Sequence, residues 1–237
     1  MAITAAFSGL ELMCFGIAVR TVFLDELVLR VVREHSIATV LSVGCGLDAR
    51  PWRLGLPPEL RWIEFDLPAM IEYKSSVLAG ETPRVRLERV VADVTDPAQR
   101  ARIFAAAQGP TLMITEGLLM YLPADAVEAL AVEAKQAGVG YWMMDATSGA
   151  FARRVHMDSY QSIENVRAEG HLNGEDIIEL VGRLGWKKLV QRSYAVDVPA
   201  RIPQVRLQEL MEAMPRQMEP PPPMTDDPSG VHLFGSE

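Results

Sequence analysis

Up to Asp145 the apolar positions of the chain switch repeatedly between a helical and an extended period. Phe23, Leu24, Leu27, Val28, Val31 and Val32 recur at the spacing of one helix face, and Asp25, Glu26, Arg30, Arg33 and Glu34 occupy the other. This predicts a helix over 21–35. The apolar run 39–43, stopped by Gly44-Cys45-Gly46, has the form of a buried strand ended by a glycine turn. Further strands are predicted at 61–66, 85–92, 111–115 and 141–144. Between them lie helices that begin at Leu67-Pro68 with the proline in the first turn, run from Asp96-Pro97 to Ala107, and span 123–137 before Gly138 and Gly140. Past Asp145 the pattern thins: 175–184 reads as a helix stopped by Gly185, and 188–198 as one long strand or a hairpin arm.

Strands that alternate with helices predict an α/β fold, a doubly wound, mostly parallel sheet with helices on both faces and an antiparallel strand near the C-terminus. A length of 237 residues suits one domain, expected over 1–214, and the stretch 215–237 with Pro220–Pro223 is expected to be a disordered tail. An apolar share of 49% with 23% charged residues is that of a globular chain. The 23 Lys and Arg against 31 Asp and Glu leave a net charge of −8, which speaks against a nucleic-acid groove or a polybasic membrane surface. The apolar runs are shorter than the ~18 residues of a membrane span. The first cation is Arg20, and Glu11 breaks the first apolar run, so a signal peptide is not expected. Cys14 and Cys45 have no metal-ligand spacing, and His35, His156, His171 and His232 are scattered; the expectation is a cytoplasmic protein without a metal site.

In an open α/β sheet, ligands sit at the carboxyl ends of the strands. Here those ends carry Gly44, Gly46 and Asp48, then Asp66, Asp93, Glu116 and Asp145. Each acid alone reads as a cap of the next helix. Together they read as the lining of a shared ligand site, because a carboxylate beside a parallel strand is unfavourable unless solvated or paired. Gly44 to Ala49 also fits G-x-G-x-x-A, and an acid follows roughly 20 residues on, so a dinucleotide must be weighed. Asp48 would oppose a pyrophosphate at the helix N-terminus, and Pro51, Gly55, Pro57 and Pro58 leave only one or two helical turns there. A nucleoside without a pyrophosphate fits better. S-adenosyl-L-methionine is such a ligand, with a ribose diol, two cationic centres for an acidic rim, and a carboxylate for one arginine.

Four blocks then come in register: Val43-Gly-Cys-Gly-Leu-Asp-Ala-Arg-Pro-Trp-Arg53, Ile63-Glu-Phe-Asp-Leu-Pro68, Ala92-Asp-Val94, and Thr115-Glu-Gly-Leu-Leu-Met-Tyr-Leu-Pro123. In order and spacing they resemble the leucine carboxyl methyltransferase family, in its bacterial branch of polyketide-type O-methyltransferases. The resemblance covers about residues 20–145 and implies a Rossmann-like class I fold that binds S-adenosyl-L-methionine. Residue by residue, it implies that Arg20 holds the methionine carboxylate and that Gly44 and Gly46 line the methionine tail. It likewise implies Asp66 on the ribose hydroxyls, Asp93 and the backbone of Val94 at the adenine edge, and Glu116 at the amino group. Glu64 is expected on the opposite face of its strand. Tyr121 is assigned to the methyl-transfer region, with a packed aromatic at a helix entry as the competing reading. Members carry a longer N-terminal segment with another basic contact, whereas only nineteen residues, none basic, precede Arg20. The partner implied is a small-molecule acceptor, carboxylate or hydroxyl. The acceptor pocket is expected from 11–20 and 151–170; His156 or His171, entering from the C-terminal region, would serve a hydroxyl, with solvated loop residues as the competing reading. A nicotinamide-dependent oxidoreductase and an inactive methyltransferase-fold binding protein are the alternatives.

Overall fold

β1 (Thr39–Val43) and β4 (Thr111–Thr115) are buried at every position, as uninterrupted apolar runs require of strands covered on both faces. They are the centre of a seven-stranded sheet in a computed structural model that describes residues 9–154, 169–197 and 226–236. β2 (Arg61–Asp66) and β3 (Arg86–Val91) lie on one side of β1, and β5 (Tyr141–Ala146) lies beyond β4. These five strands are parallel. With β6 (Trp186–Ser193) and β7 (Gly230–Ser236) the order is β3-β2-β1-β4-β5-β7-β6; it reverses between β1 and β4, which opens a crevice above their carboxyl ends.

The helices cover both faces. On one, Leu41, Phe65 and Trp142 pack against α4 (Pro97–Ala105), α5 (Ala124–Gln136) and α7 (Gly174–Arg183). On the other, Val40, Trp62 and Leu112 pack beneath α1 (Gly9–Glu34), through the six apolar residues that the helical spacing singled out. α1 begins well upstream of the predicted start, because 9–20 is apolar without a one-face period. α2 (Arg50–Arg53) is a single turn, as its prolines demand, and α3 (Pro68–Val77) and α6 (Gly149–Arg154) follow β2 and β5. Asp96 caps α4 by accepting from Ala98 N at 2.8 Å, with Pro97 in the first turn. The Trp142 Nε1–H donates to Thr115 Oγ1 at 2.9 Å, and its ring meets Trp186 edge-on at 5.3 Å. Among the described residues no helix is long and apolar enough to cross a membrane.

The C-terminal end departs from the sequence expectation. β6 (Trp186–Ser193) starts before 188 and stops at Ser193, where the Ser193 hydroxyl accepts from the amides of Ala195 and Val196. The tail expectation for 215–237 is overturned where the structure describes it, because Gly230–Ser236 forms β7 between β5 and β6, antiparallel to both. The domain therefore runs past 214 to 236; the proline run 220–223 lies outside the described residues. Val231, Leu233 and Phe234 are at most 2% exposed, so the strand is held by its burial. The composition of the preceding proline-rich stretch hides that. Gly230 is required there, since a Cβ would lie 2.1 Å from Arg192 O.

His232 of β7 is fully buried. Its Nε2 faces Pro228 O at 2.6 Å and must carry the proton, because a carbonyl only accepts. Nδ1 has no partner among the described residues. Burial lowers the pKa from 6.5 to about 4. As pH falls, the unfolded chain takes this proton first. Stability should therefore decline between pH 6.5 and about 4 and level off below, by up to about 3 kcal/mol from this group. Urea titrations across that range should show a smaller decline for His232→Gln, which keeps a donor for Pro228. An equal decline would place the acid sensitivity elsewhere.

Candidate active site

The glycine loop after β1 folds back on β2: Gly44 N and Cys45 N donate to Phe65 O at 2.8 and 3.1 Å. Gly44 has φ +65°, and a Cβ there would meet Leu118 Cδ1 at 2.9 Å, so both conformation and packing select glycine. Gly46 N donates to Asp66 Oδ2 at 2.7 Å, and Leu67 N donates to Asp66 Oδ1 at 2.8 Å. The Asp66 carboxylate is thus fixed at the end of β2, with one amide on each oxygen. Burial pushes the Cys45 thiol up to about 12, so it is a small apolar filler and not a nucleophile at neutral pH.

The remaining acids are tied by arginines. Arg20 of α1 donates from Nε to Glu116 Oε1 at 2.9 Å and from a terminal nitrogen to Asp145 Oδ2 at 3.1 Å. Asp145 Oδ1 accepts from Gly117 N at 2.6 Å, which holds the loop after β4 over the end of β5. Arg50, at the first position of α2, is 2% exposed. It reaches Glu116 Oε2 and Asp25 Oδ1, both at 2.7 Å, and Asp48 Oδ2 at 3.1 Å. Arg53 also pairs with Asp25. Burial alone would lower the pKa of Arg50, but Asp48, Glu116 and Asp25 hold it above the ordinary guanidinium value. Arg20 is raised against the same burial penalty by Asp145 and Glu116.

Of the residues singled out in the sequence, the structure joins Arg20 with Glu116 and Gly46 with Asp66, on either side of the strand-order reversal. Asp93 is at the same rim but serves its own turn, accepting from Thr95 N at 2.8 Å and Thr95 Oγ1 at 2.7 Å. The cap of the next helix is Asp96, so Asp93 closes the turn before α4 and does not cap it. Val94 is buried, its carbonyl accepting from Arg100 at 3.0 Å. Tyr121 stands part-exposed on the 3₁₀ turn Leu119–Tyr121 after β4. Glu64 corrects an expectation: strand alternation puts it on the Trp62 side, the side of Asp66 and not the opposite one. It is kept from the rim by Lys74 at 2.7 Å and Arg89 at 3.0 Å, beneath the Trp52 ring. A separate cleft of about 620 Å³, lined by Thr39, Arg61 and Arg86 among others, lies at the opposite, amino ends of the strands. The chemistry converges at the carboxyl ends.

Arg50, Asp25 and Asp48 are the members that sequence reasoning missed as a unit. Arg50 lies in the glycine-loop block, and the signal it carries is an acid, Asp48, two residues before a cation at a proline-limited turn. Asp145 stands among the strand-end acids, but its local sequence marks no partner for it.

A seven-stranded sheet of this order, with the last strand pair antiparallel and a glycine loop and acids at the carboxyl rim, defines a class I methyltransferase fold. The model of the leucine carboxyl methyltransferase family matches residues 4–134, and the chain belongs to that family. A Streptomyces coelicolor protein named as a candidate S-adenosyl-L-methionine-dependent methyltransferase is 42% identical over 124 residues, 49% of this chain and 42% of that protein. A Mycobacterium tuberculosis protein of the same designation is 39% identical over 117 residues, 48% of this chain and 37% of its own length. The chain thus matches less than half the length of these curated relatives. Among solved structures, a DUF574 family protein from Streptomyces avermitilis superposes with a TM-score of 0.61 at 16% identity, over 93% of this chain and 83% of that one. An O-methyltransferase family protein from Burkholderia thailandensis does so with a TM-score of 0.57 at 14% identity, over 90% and 56%. At those identities the likeness is one of fold.

Removing a buried cation strands the carboxylates around it. Arg50→Ala should therefore destabilise the protein by about 3–5 kcal/mol in equilibrium denaturation. A loss below ~1 kcal/mol would mean that Asp25, Asp48 and Glu116 turn to solvent at no penalty.

Proposed function

We propose that this protein binds S-adenosyl-L-methionine at the carboxyl rim and transfers its methyl group to an oxygen of a small-molecule acceptor. The observation that carries the reading is Arg20 held between Glu116 and Asp145 beside the glycine loop. A zwitterionic amino-acid end has a carboxylate for such an arginine and an ammonium for such acids. Arg20 and Glu116 keep 25% and 19% side-chain exposure, so the pair is open to exchange partners with an incoming ligand. The charges fit as well: Arg20, Arg50 and Arg53 face Asp25, Asp48, Glu116 and Asp145, an excess of one anion that a cationic ligand neutralises.

Asp66 is suited to the ribose. Each of its oxygens accepts one backbone amide, and each retains a lone pair for a hydroxyl. Gly44 and Gly46 let a ligand approach the backbone closely. The N-terminus of α2 is already taken, since Arg50 N donates to Asp48 Oδ1 at 2.9 Å. A pyrophosphate would meet that carboxylate, which disfavours the nicotinamide reading. The family to which the chain belongs weighs the same way.

When bound, S-adenosyl-L-methionine supplies a methyl group on a sulfonium, displaced in line with a neutral thioether as leaving group. The protein's part is orientation: Arg20, Glu116 and Asp66 fix the two ends of the ligand, and Tyr121 borders the transfer region. A carboxylate acceptor is ionised at neutral pH and needs no base, so methyl-ester formation is the first reading. A hydroxyl acceptor is the second, because the backbone of His171 pairs with Pro123, two residues past Tyr121, bringing an imidazole to this quarter of the molecule. A role in polyketide or other secondary metabolism accords with the resemblance of the motif blocks.

Calorimetric titration with S-adenosylhomocysteine tests the reading directly. The wild type should bind it, and Asp66→Ala should bind ~1.5–3 kcal/mol more weakly, roughly ten- to a hundredfold in Kd. Unaltered affinity in the variant would remove Asp66 from the ribose. Absence of any binding by the wild type would sink the cofactor assignment.

A further inference from the structure

The returning strands bring one more polar group to the rim. β6 runs parallel to β5, with the antiparallel β7 between them, and the register pairs Ala146 with Gly230 and Gly230 with Ser193. The residue after Ser193 therefore lies at the same edge of the sheet as Asp145. That residue is Tyr194, anchored by its N–H to Ser229 O at 3.0 Å. Its ring packs on Phe23 of α1, with centroids 6.3 Å apart, and on Phe151 of α6 at 6.1 Å. Phe23 lies one helical turn from Arg20, on the same side of α1.

The Tyr194 hydroxyl oxygen is buried and has no hydrogen-bond partner among the described residues. A buried hydroxyl left in that state is unfavourable, and structures retain few of them without a use. Burial raises its ionisation well above the ordinary phenol range; Asp145 and Glu116 push the same way, and Arg20 opposes them. The hydroxyl thus lies within the field of the Arg20–Asp145–Glu116 cluster and stays protonated, a neutral donor beside a cation.

We propose that Tyr194 is a further binding residue of this site, its hydroxyl donating a hydrogen bond to the carboxylate at the amino-acid end of the bound S-adenosyl compound, next to Arg20. The assignment rests on the cofactor reading above and deepens it. Arg20 draws the carboxylate to its side, and Glu116 and Asp145 draw the ammonium. A protonated phenol beside the arginine then meets the ligand's acceptor oxygens.

The test is titration of wild type and Tyr194→Phe with S-adenosylhomocysteine and with 5′-methylthioadenosine, the same nucleoside thioether without the amino-acid end. Tyr194→Phe should lose roughly tenfold in affinity for S-adenosylhomocysteine and bind 5′-methylthioadenosine as the wild type does. The ligand-free variant should melt no lower than wild type, because the ring packing is kept and only an unpartnered hydroxyl is removed. Unchanged affinity for S-adenosylhomocysteine, an equal loss for both compounds, or a lowered melting temperature in the ligand-free variant would each overturn the assignment. A wild type that binds neither compound removes the cofactor reading and this one with it. A wild type that binds both, with an indifferent variant, removes only Tyr194.

Discussion

One buried guanidinium makes the acidic rim tolerable. Asp25, Asp48 and Glu116 come from α1, the glycine loop and the end of β4, and all three meet Arg50. Without a cation there, three carboxylates would share a low-dielectric volume, and at least one would have to take up a proton or swing outward. With it, the helix over one face of the sheet, the loop after β1 and the end of β4 are pinned to one another where the strand order reverses. That is also where a ligand of this fold class enters, so the same contact that closes the fold shapes the site.

The molecule holds a second charge cluster of contrasting kind. Glu64, Lys74 and Arg89 are stacked under Trp52, and the Glu64 and Lys74 side chains are at most 1% exposed. Burial raises the Glu64 pKa although both cations oppose it. Both Glu64 oxygens are taken inside the protein, one by Lys74 and one by Arg89, and the cluster ties α3 to β2 and β3. The Arg20 pair is part-exposed and belongs to a group with an unbalanced anion. Near-complete burial of the Glu64–Lys74 pair marks the structural cluster; part-exposure of both Arg20 and Glu116, with an anion in excess, marks the one suited to a ligand.

The C-terminal strand matters to that rim from a distance. Ser148 donates to Asp227 Oδ2 at 2.6 Å, and Ser148 N donates to Ser229 Oγ at 2.8 Å, a buried latch between the end of β5 and the entry to β7. The latch seats β7 beside β5, β7 seats β6, and the end of β6 delivers Tyr194. A segment that composition assigns to a tail thus completes the sheet.

Much of this was legible locally. Strand and helix periods, the proline-limited turn of α2, the glycine loop and the acids after the strands are short-range signals, because a pleat, a helix turn and a positive φ act over a few residues. They sufficed for the doubly wound sheet and for placing Gly44, Gly46, Asp66 and Glu116 on one rim. The partners of the charges were not legible. Arg20 and Asp145 are 125 positions apart, and Arg50 and Glu116 are 66 apart; nothing in either local pattern marks the other end. The side taken by Glu64, the strand made by Gly230–Ser236 and the arrival of Tyr194 were likewise decided by burial against distant elements, which is a property of the packed chain and not of any stretch of it.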